Sequence, residues 1–167
     1  MDDSSEPAIP TPPPDERPFP TEGRLLGLDF GTRRLGIAVS TPEQTMASPL
    51  ENYDRKTPKL DAEHLQEVVE DYRIRGLVVG LPVHMSGDEG GLARSAREFG
   101  LWIATETDLP LRFWDERFTS ALAEEILQAA SLTKKQRKAR KDKLAAHLLL
   151  QSFLDAKDRN QKPQAMD

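Results

Sequence analysis

Four carboxylates are the residues whose chemistry most needs explaining: Asp29, the adjacent Asp115 and Glu116, and Asp142. Asp29 follows Leu25-Leu26-Gly27-Leu28, and aspartate is both rare in strands and almost never buried without a partner. Such a position requires a cap-like hydrogen bond or a cation. The chain has no cysteine, which excludes disulfides, thiolate zinc sites and cysteine nucleophiles. Its three histidines, His64, His84 and His147, are scattered. A metal site would therefore be built from carboxylates, and oxygen ligands favour Mg²⁺ or Mn²⁺ over zinc. Each acid also has an ordinary role open to it. Asp29 can cap the turn that follows it, Asp115 and Glu116 can be surface charge before a helix, and Asp142 can be a helix N-cap.

The elements that must position these acids follow from apolar periodicity. Residues 25–30 and 35–40 are two apolar runs of strand length around Gly31-Thr32-Arg33-Arg34, which predicts a hairpin. A weaker strand over 46–53 contains Pro49 and is expected at a sheet edge, where a missing amide hydrogen is tolerated. Thr57-Pro58 has the form of an N-cap with proline in the first turn. Leu65, Val68, Val69 and Tyr72 continue that helix to about Arg73. Residues 74–81 form a buried strand, parallel to the first because a helix precedes it.

A polar loop over 82–91 leads to a second helix marked by Leu92, Ala96, Phe99 and Ile103. A fifth strand at 111–114 ends in Asp115-Glu116-Arg117. Leu122, Ile126, Ala129 and Ala130 mark a third helix, and a last helix is expected from about Asp142 to Ala156. The prediction is an α/β fold with a five-stranded mixed sheet. Sites in such sheets form beyond the carboxyl ends of the parallel strands, where Asp29 and Asp115-Glu116 both fall. Asp142 stands on the packing face of the last helix, ahead of Ala145, Ala146, Leu149 and Phe153. Like charges that converge in this way repel, and a divalent cation is what normally makes them tolerable.

Charge is unevenly distributed along the 167 residues. The net charge is −5, yet residues 1–23 alone hold six acids against Arg17, so the remainder is formally neutral. Those 23 residues also contain seven of the thirteen prolines and are expected to be a disordered arm. A domain over 24–157 and a flexible tail over 158–167 complete the expected organisation. Lys134 to Lys143 carries seven bases and one acid, and its stretch from Lys134 to Lys141 leads directly into that acid, Asp142. No apolar run reaches membrane-spanning length, and a cytoplasmic location is expected.

Four ordered blocks resemble the signature blocks of the YqgF/RuvX family. They are Leu28 to Val39, Val78-Val79-Gly80-Leu81-Pro82, Trp114-Asp115-Glu116-Arg117-Phe118-Thr119-Ser120, and Asp142 to Ser152. That family is described both as pre-16S rRNA nucleases and as Holliday junction resolvases, with an RNase H-like fold. The resemblance covers about residues 24–157. It implies strand order 3-2-1-4-5, helices on both faces of the sheet, and a Mg²⁺- or Mn²⁺-dependent phosphodiesterase using two ions. It carries Asp29, Glu116 and Asp142 over as metal ligands and Asp29, Asp115, Glu116 and Asp142 as the catalytic acids. Related resolvases take their second acid from strand 4, where this chain has Gly80 and Leu81, so strand 5 must supply it, with Glu116 preferred to Asp115.

The substrate expected on this reading is nucleic acid, pre-rRNA first and branched DNA second. Arg33, Arg34, Arg117, Lys134, Lys135, Arg137, Lys138, Arg140 and Lys141 are the expected phosphate contacts, which position a strand without reading its sequence. The protein is expected to act as a monomer or homodimer. Two rival readings are a phosphotransferase of the actin-like superfamily, for which one domain of this size is too short, and a non-catalytic RNA-binding assembly factor.

Overall fold

The computed structural model describes residues 10–82, 90–116 and 133–160, with residues 134–143 described through their backbone alone. Its elements are β1 (Arg24–Phe30), β2 (Arg34–Ser40), β3 (Ala47–Asp54), α1 (Pro58–Tyr72), β4 (Ile74–Leu81), α2 (Gly91–Thr107), β5 (Leu111–Asp115) and α3 (Lys134–Asp155). The strands form one sheet in the order β3-β2-β1-β4-β5, as expected. β1 pairs antiparallel with β2 and parallel with β4, and β4 pairs parallel with β5. The helix expected around Leu122 to Ala130 lies outside the described residues.

Local sequence accounts for most boundaries. The Thr57 side chain accepts from the Leu60 amide at 3.2 Å and Pro58 opens α1, so cap and proline act as read. α1 and α2 both stop at left-handed residues, Arg73 and Asp108, each with φ 54°. β3 is the edge strand that Pro49 demands, and the β2–β3 register slips between Ile37 and Ala38, beside Ala38↔Pro49.

Strand alternation divides the core between the two faces of the sheet. Leu26, Leu28, Leu77, Val79, Leu81, Leu111 and Phe113 pack with α1 and α2 residues such as Leu65, Phe99 and Ile103. Leu25, Val78 and Trp114 pack on the other face with Ala146, Leu149, Leu150 and Phe153 of α3. The helix lies very close to β1: a Cβ added at Gly27 would come within 2.8 Å of Leu150 Cβ.

Three expectations change. α3 starts at Lys134, about two turns before Asp142, because Lys, Arg, Gln and Ala are strong helix formers. The basic run is therefore part of the last helix rather than a segment ahead of it, and Asp142 is no N-cap.

The arm expected to be disordered instead packs against the domain from about residue 14 onward. Phe19 meets Phe153 edge to face at 5.6 Å, and Arg112 captures the Asp15 and Arg17 carbonyls at 3.2 and 2.7 Å. Gln44 Nε2 also donates to the Pro20 carbonyl at 3.1 Å and Arg17 to Asp108 at 3.2 Å, and the prolines leave little backbone freedom to lose. Arg159, expected in a flexible tail, donates to Gln44 Oε1 at 2.7 Å.

Candidate active site

Asp29 occupies the penultimate position of β1, opposite Gly36 of β2. Alternation puts it on the face of Leu25 and Gly27, beneath α3. Two strands away, the β4–β5 pairing runs one residue past the end of β5, with the Glu116 amide donating to the Leu81 carbonyl at 3.1 Å. That bond holds the backbone at Glu116 in strand-like alternation. Glu116 therefore shares the face of Trp114, and Asp115 falls on the face of Leu111 and Phe113. Asp115 is only 3% exposed.

The carboxyls of Asp29 and Glu116 meet through a side-chain hydrogen bond. Their strands are separated by β4, a span of about 10 Å at ordinary strand spacing, so Glu116 must reach across β4. Gly80 is what permits this. A Cβ at Gly80 would lie 2.6 Å from Glu116 Oε1, 2.9 Å from its Cγ and 3.0 Å from Leu149 Cδ2. The register Leu28↔Val79, continued by one residue, sets Gly80 beside Asp29. The glycine is thus a gap in the sheet surface, filled by the acid from the neighbouring strand. From the sequence Gly80 reads only as the absence of an acid; its role as a cradle depends on register.

Burial, then the hydrogen bond and negative charge of Asp29, then the charge of Asp115, push the Glu116 carboxyl up to about 9. In the metal-free protein it is accordingly protonated at neutral pH and donates to Asp29. Two carboxyls in direct contact need a proton or a cation between them, and the donors are oxygens throughout, a set that suits a hard divalent ion.

Asp142 lies in α3 one turn before Ala146. Phe153 packs on Phe19, whose ring faces Gly76 near the start of β4, while Leu149 faces Gly80 near its end. The helix therefore runs back over the sheet, and its amino-terminal half extends toward the carboxyl ends of β1 and β5. The Asp142 side chain lies outside the described residues. Among the described residues no three acids or histidines gather as a metal-binding group.

Of the expected phosphate contacts, Arg33 and Arg34 are exposed on the hairpin turn, Arg34 beside Asp54 at 3.4 Å. Arg117 and the side chains of Lys134, Lys135, Arg137, Lys138, Arg140 and Lys141 lie outside the described residues.

The sequence model of the family described as "RuvX: Holliday junction resolvase" matches residues 23–156. The chain belongs to the RuvX family. A relative from Rhodopirellula baltica, named "Putative pre-16S rRNA nuclease", is 41% identical over 138 residues, covering 83% of this chain and 80% of its own. Another of the same name, from Koribacter versatilis, is 43% identical over 140 residues, covering 84% and 92%. The solved structure of Thermus thermophilus RuvC in complex with Holliday junction substrate aligns with a TM-score of 0.47 at 18% identity, covering 76% of this chain and 91% of that one. The RuvX match begins at Gly23, so the packed segment before it lies outside the family's shared region.

Proposed function

We propose that this RuvX protein is a divalent-metal-dependent nuclease that hydrolyses phosphodiester bonds in the 5′-end processing of pre-16S rRNA. The observation that carries the reading is the Asp29–Glu116 carboxyl pair at the carboxyl ends of β1 and β5, in a chain matched by the family over 23–156. In this reading Asp29, Glu116 and Asp142 would hold two divalent ions. Mg²⁺ or Mn²⁺, when bound, supplies neutralisation at the attacking and leaving oxygens and a water of lowered pKa.

The chain's own contribution is to prepare that site. Gly80 leaves the space through which Glu116 reaches Asp29. Glu116 gives up its proton as the site is loaded, so loading is favoured by rising pH. The α3 face over Gly27 keeps bulk water from the inner side of the pair. Arg33 and Arg34, with the basic first turns of α3, supply cationic surface to a polyanion, which acts on phosphates rather than bases.

The family's description as a Holliday junction resolvase favours a second substrate, branched DNA. Side-by-side digestion of a pre-16S rRNA leader and a four-way DNA junction with Mn²⁺ decides between them. Cleavage of the RNA leader alone, lost in Asp29→Asn, supports the proposal, and cleavage of the junction alone replaces it with the resolvase. Binding of RNA without cleavage of either substrate returns the protein to an assembly factor.

A further inference from the structure

On the opposite face of the sheet from the carboxyl pair, one arginine holds the turn that follows Asp29. Arg55 Nη1 donates to the Gly31 carbonyl at 3.2 Å, and the Arg55 amide donates to the Arg33 carbonyl at 2.8 Å. The Arg55 guanidinium carbon also lies 5.2 Å from the ring centroids of both Phe30 and Phe99. Residues 30, 31 and 33 are thus all gripped by a single residue. The turn has no slack: a Cβ at Gly31 would come within 2.5 Å of the Arg34 carbonyl oxygen.

Arg55 is itself anchored. Its Nε donates to Asp61 Oδ2 at 3.2 Å, and Asp61, 1% exposed, also accepts from Tyr53 Oη and from the Lys56 amide, both at 2.8 Å. Asp61 lies in the first turn of α1, with its own amide donating to the Thr57 carbonyl. The chain of contacts runs from a capped helix, through a buried carboxylate and a planar cation, to the backbone directly after Asp29.

We infer that Arg55 is a positioning residue: anchored by Asp61, it fixes the β1–β2 turn and so sets where Asp29 presents its carboxylate. The inference rests on the proposed nuclease reading for its catalytic consequence, while its structural consequence can be measured without it. Lysine cannot replace Arg55. A compact ammonium lacks the planar fork that donates in two directions while stacking on two rings.

The test compares wild-type protein with Arg55→Lys and Arg55→Ala, checking folding by circular dichroism and thermal melting. Hydrogen exchange should show the turn peptide containing residues 31–34 exchanging at least tenfold faster in Arg55→Lys, with residues 25–28 and 77–79 unchanged. Titration with Mn²⁺ alone should show weaker binding, and on a cleaved substrate kcat should fall at least tenfold with KM within about threefold. Unchanged exchange in the turn overturns the inference, as does faster exchange spread evenly over all strands, the result of a merely structural role. If wild-type protein cleaves nothing, the nuclease reading fails alone, and exchange with Mn²⁺ binding still decides the role of Arg55. Should Arg55→Ala fail to fold, Arg55→Lys carries the comparison.

Discussion

Two carboxyl groups withdrawn from water on opposite faces of the same sheet behave in opposite ways. Asp61, under α1, is nearly inaccessible. Burial alone would raise it, yet the hydrogen bonds from the Lys56 amide, Tyr53 and Arg55, with the charge of Arg55, hold it below the ordinary aspartate value. The same environment pushes the Tyr53 phenol up to about 12. Glu116, on the α3 face, is half-buried beside Asp29 and Asp115, and is pushed up to about 9. Where donors and a cation are built in, a buried acid is part of the scaffold. Where burial and neighbouring acids act together, the protonated form is favoured, and a carboxyl perturbed in this way is a candidate for a site.

Breaking each member of the pair should have different consequences. The largest effect is expected from Asp29→Asn. Metal-dependent cleavage should fall by roughly 10²–10³-fold, as for loss of one preorganised charge-stabilising group. The melting temperature in EDTA should hold, because the asparagine Oδ1 can still accept the hydrogen bond from protonated Glu116. A rate assay paired with a melt checks both, and wild-type cleavage would end the metal-site reading. Asp61→Ala should do the reverse to stability. Removing one partner of a buried ion pair costs about 3–5 kcal/mol, a fall of roughly 10 °C for a domain of this size, read by calorimetry.

Gly80→Ala sharpens the contrast, since the added methyl would collide with Glu116 at Oε1 and Cγ and crowd Leu149 Cδ2, side-chain atoms rather than backbone. Mn²⁺ affinity should fall by roughly tenfold, the scale of disturbed ligand support, with only a small change in the melt. Isothermal titration measures the first. An unchanged affinity would mean that Glu116 does not need the gap.

The two acids should also pull stability in opposite directions with pH. Glu116 stays protonated in the folded protein to about 9 but ionises above its ordinary 4.5 when unfolded. Metal-free protein should therefore lose stability as pH rises between those values, and Glu116→Gln should flatten that slope. Asp61 contributes stability that is complete above its ordinary 3.8 and is lost as pH falls through its lower folded value. Denaturant melts across pH in EDTA read both slopes. The smallest effect is expected from Asp54→Asn, since the Arg34–Asp54 pair is exposed on both sides. Such pairs contribute about 0–1 kcal/mol, so the melt should scarcely move.

Much of this arrangement is legible from residue types alone. Alternation and turn residues mark the β1–β2 hairpin, Thr57-Pro58 marks the start of α1, and Pro49 marks the edge strand. These signals survive because each is decided by neighbours within a few residues. Asp29 and the Asp115-Glu116 pair stand out because acids seldom end apolar strands. Arg55 and Asp61 give no such signal. An acid in the first turn of a helix and an arginine before it look like ordinary solvated charge until β3 and α1 are packed together. Phe19 and Arg112 are equally silent, being 93 residues apart in sequence and joined only when the arm crosses β5.

The sequence by itself determined the strands, the hairpin and the presence of acids at strand ends, since periodicity and turn chemistry are local. The tertiary structure alone decided which acid of the Asp115-Glu116 pair shares a face with Asp29, that Gly80 is the gap between them, and that a half-buried arginine grips the turn beyond. Those depend on the register of β1, β4 and β5 side by side, and register is a relation between distant segments that no single stretch of chain contains.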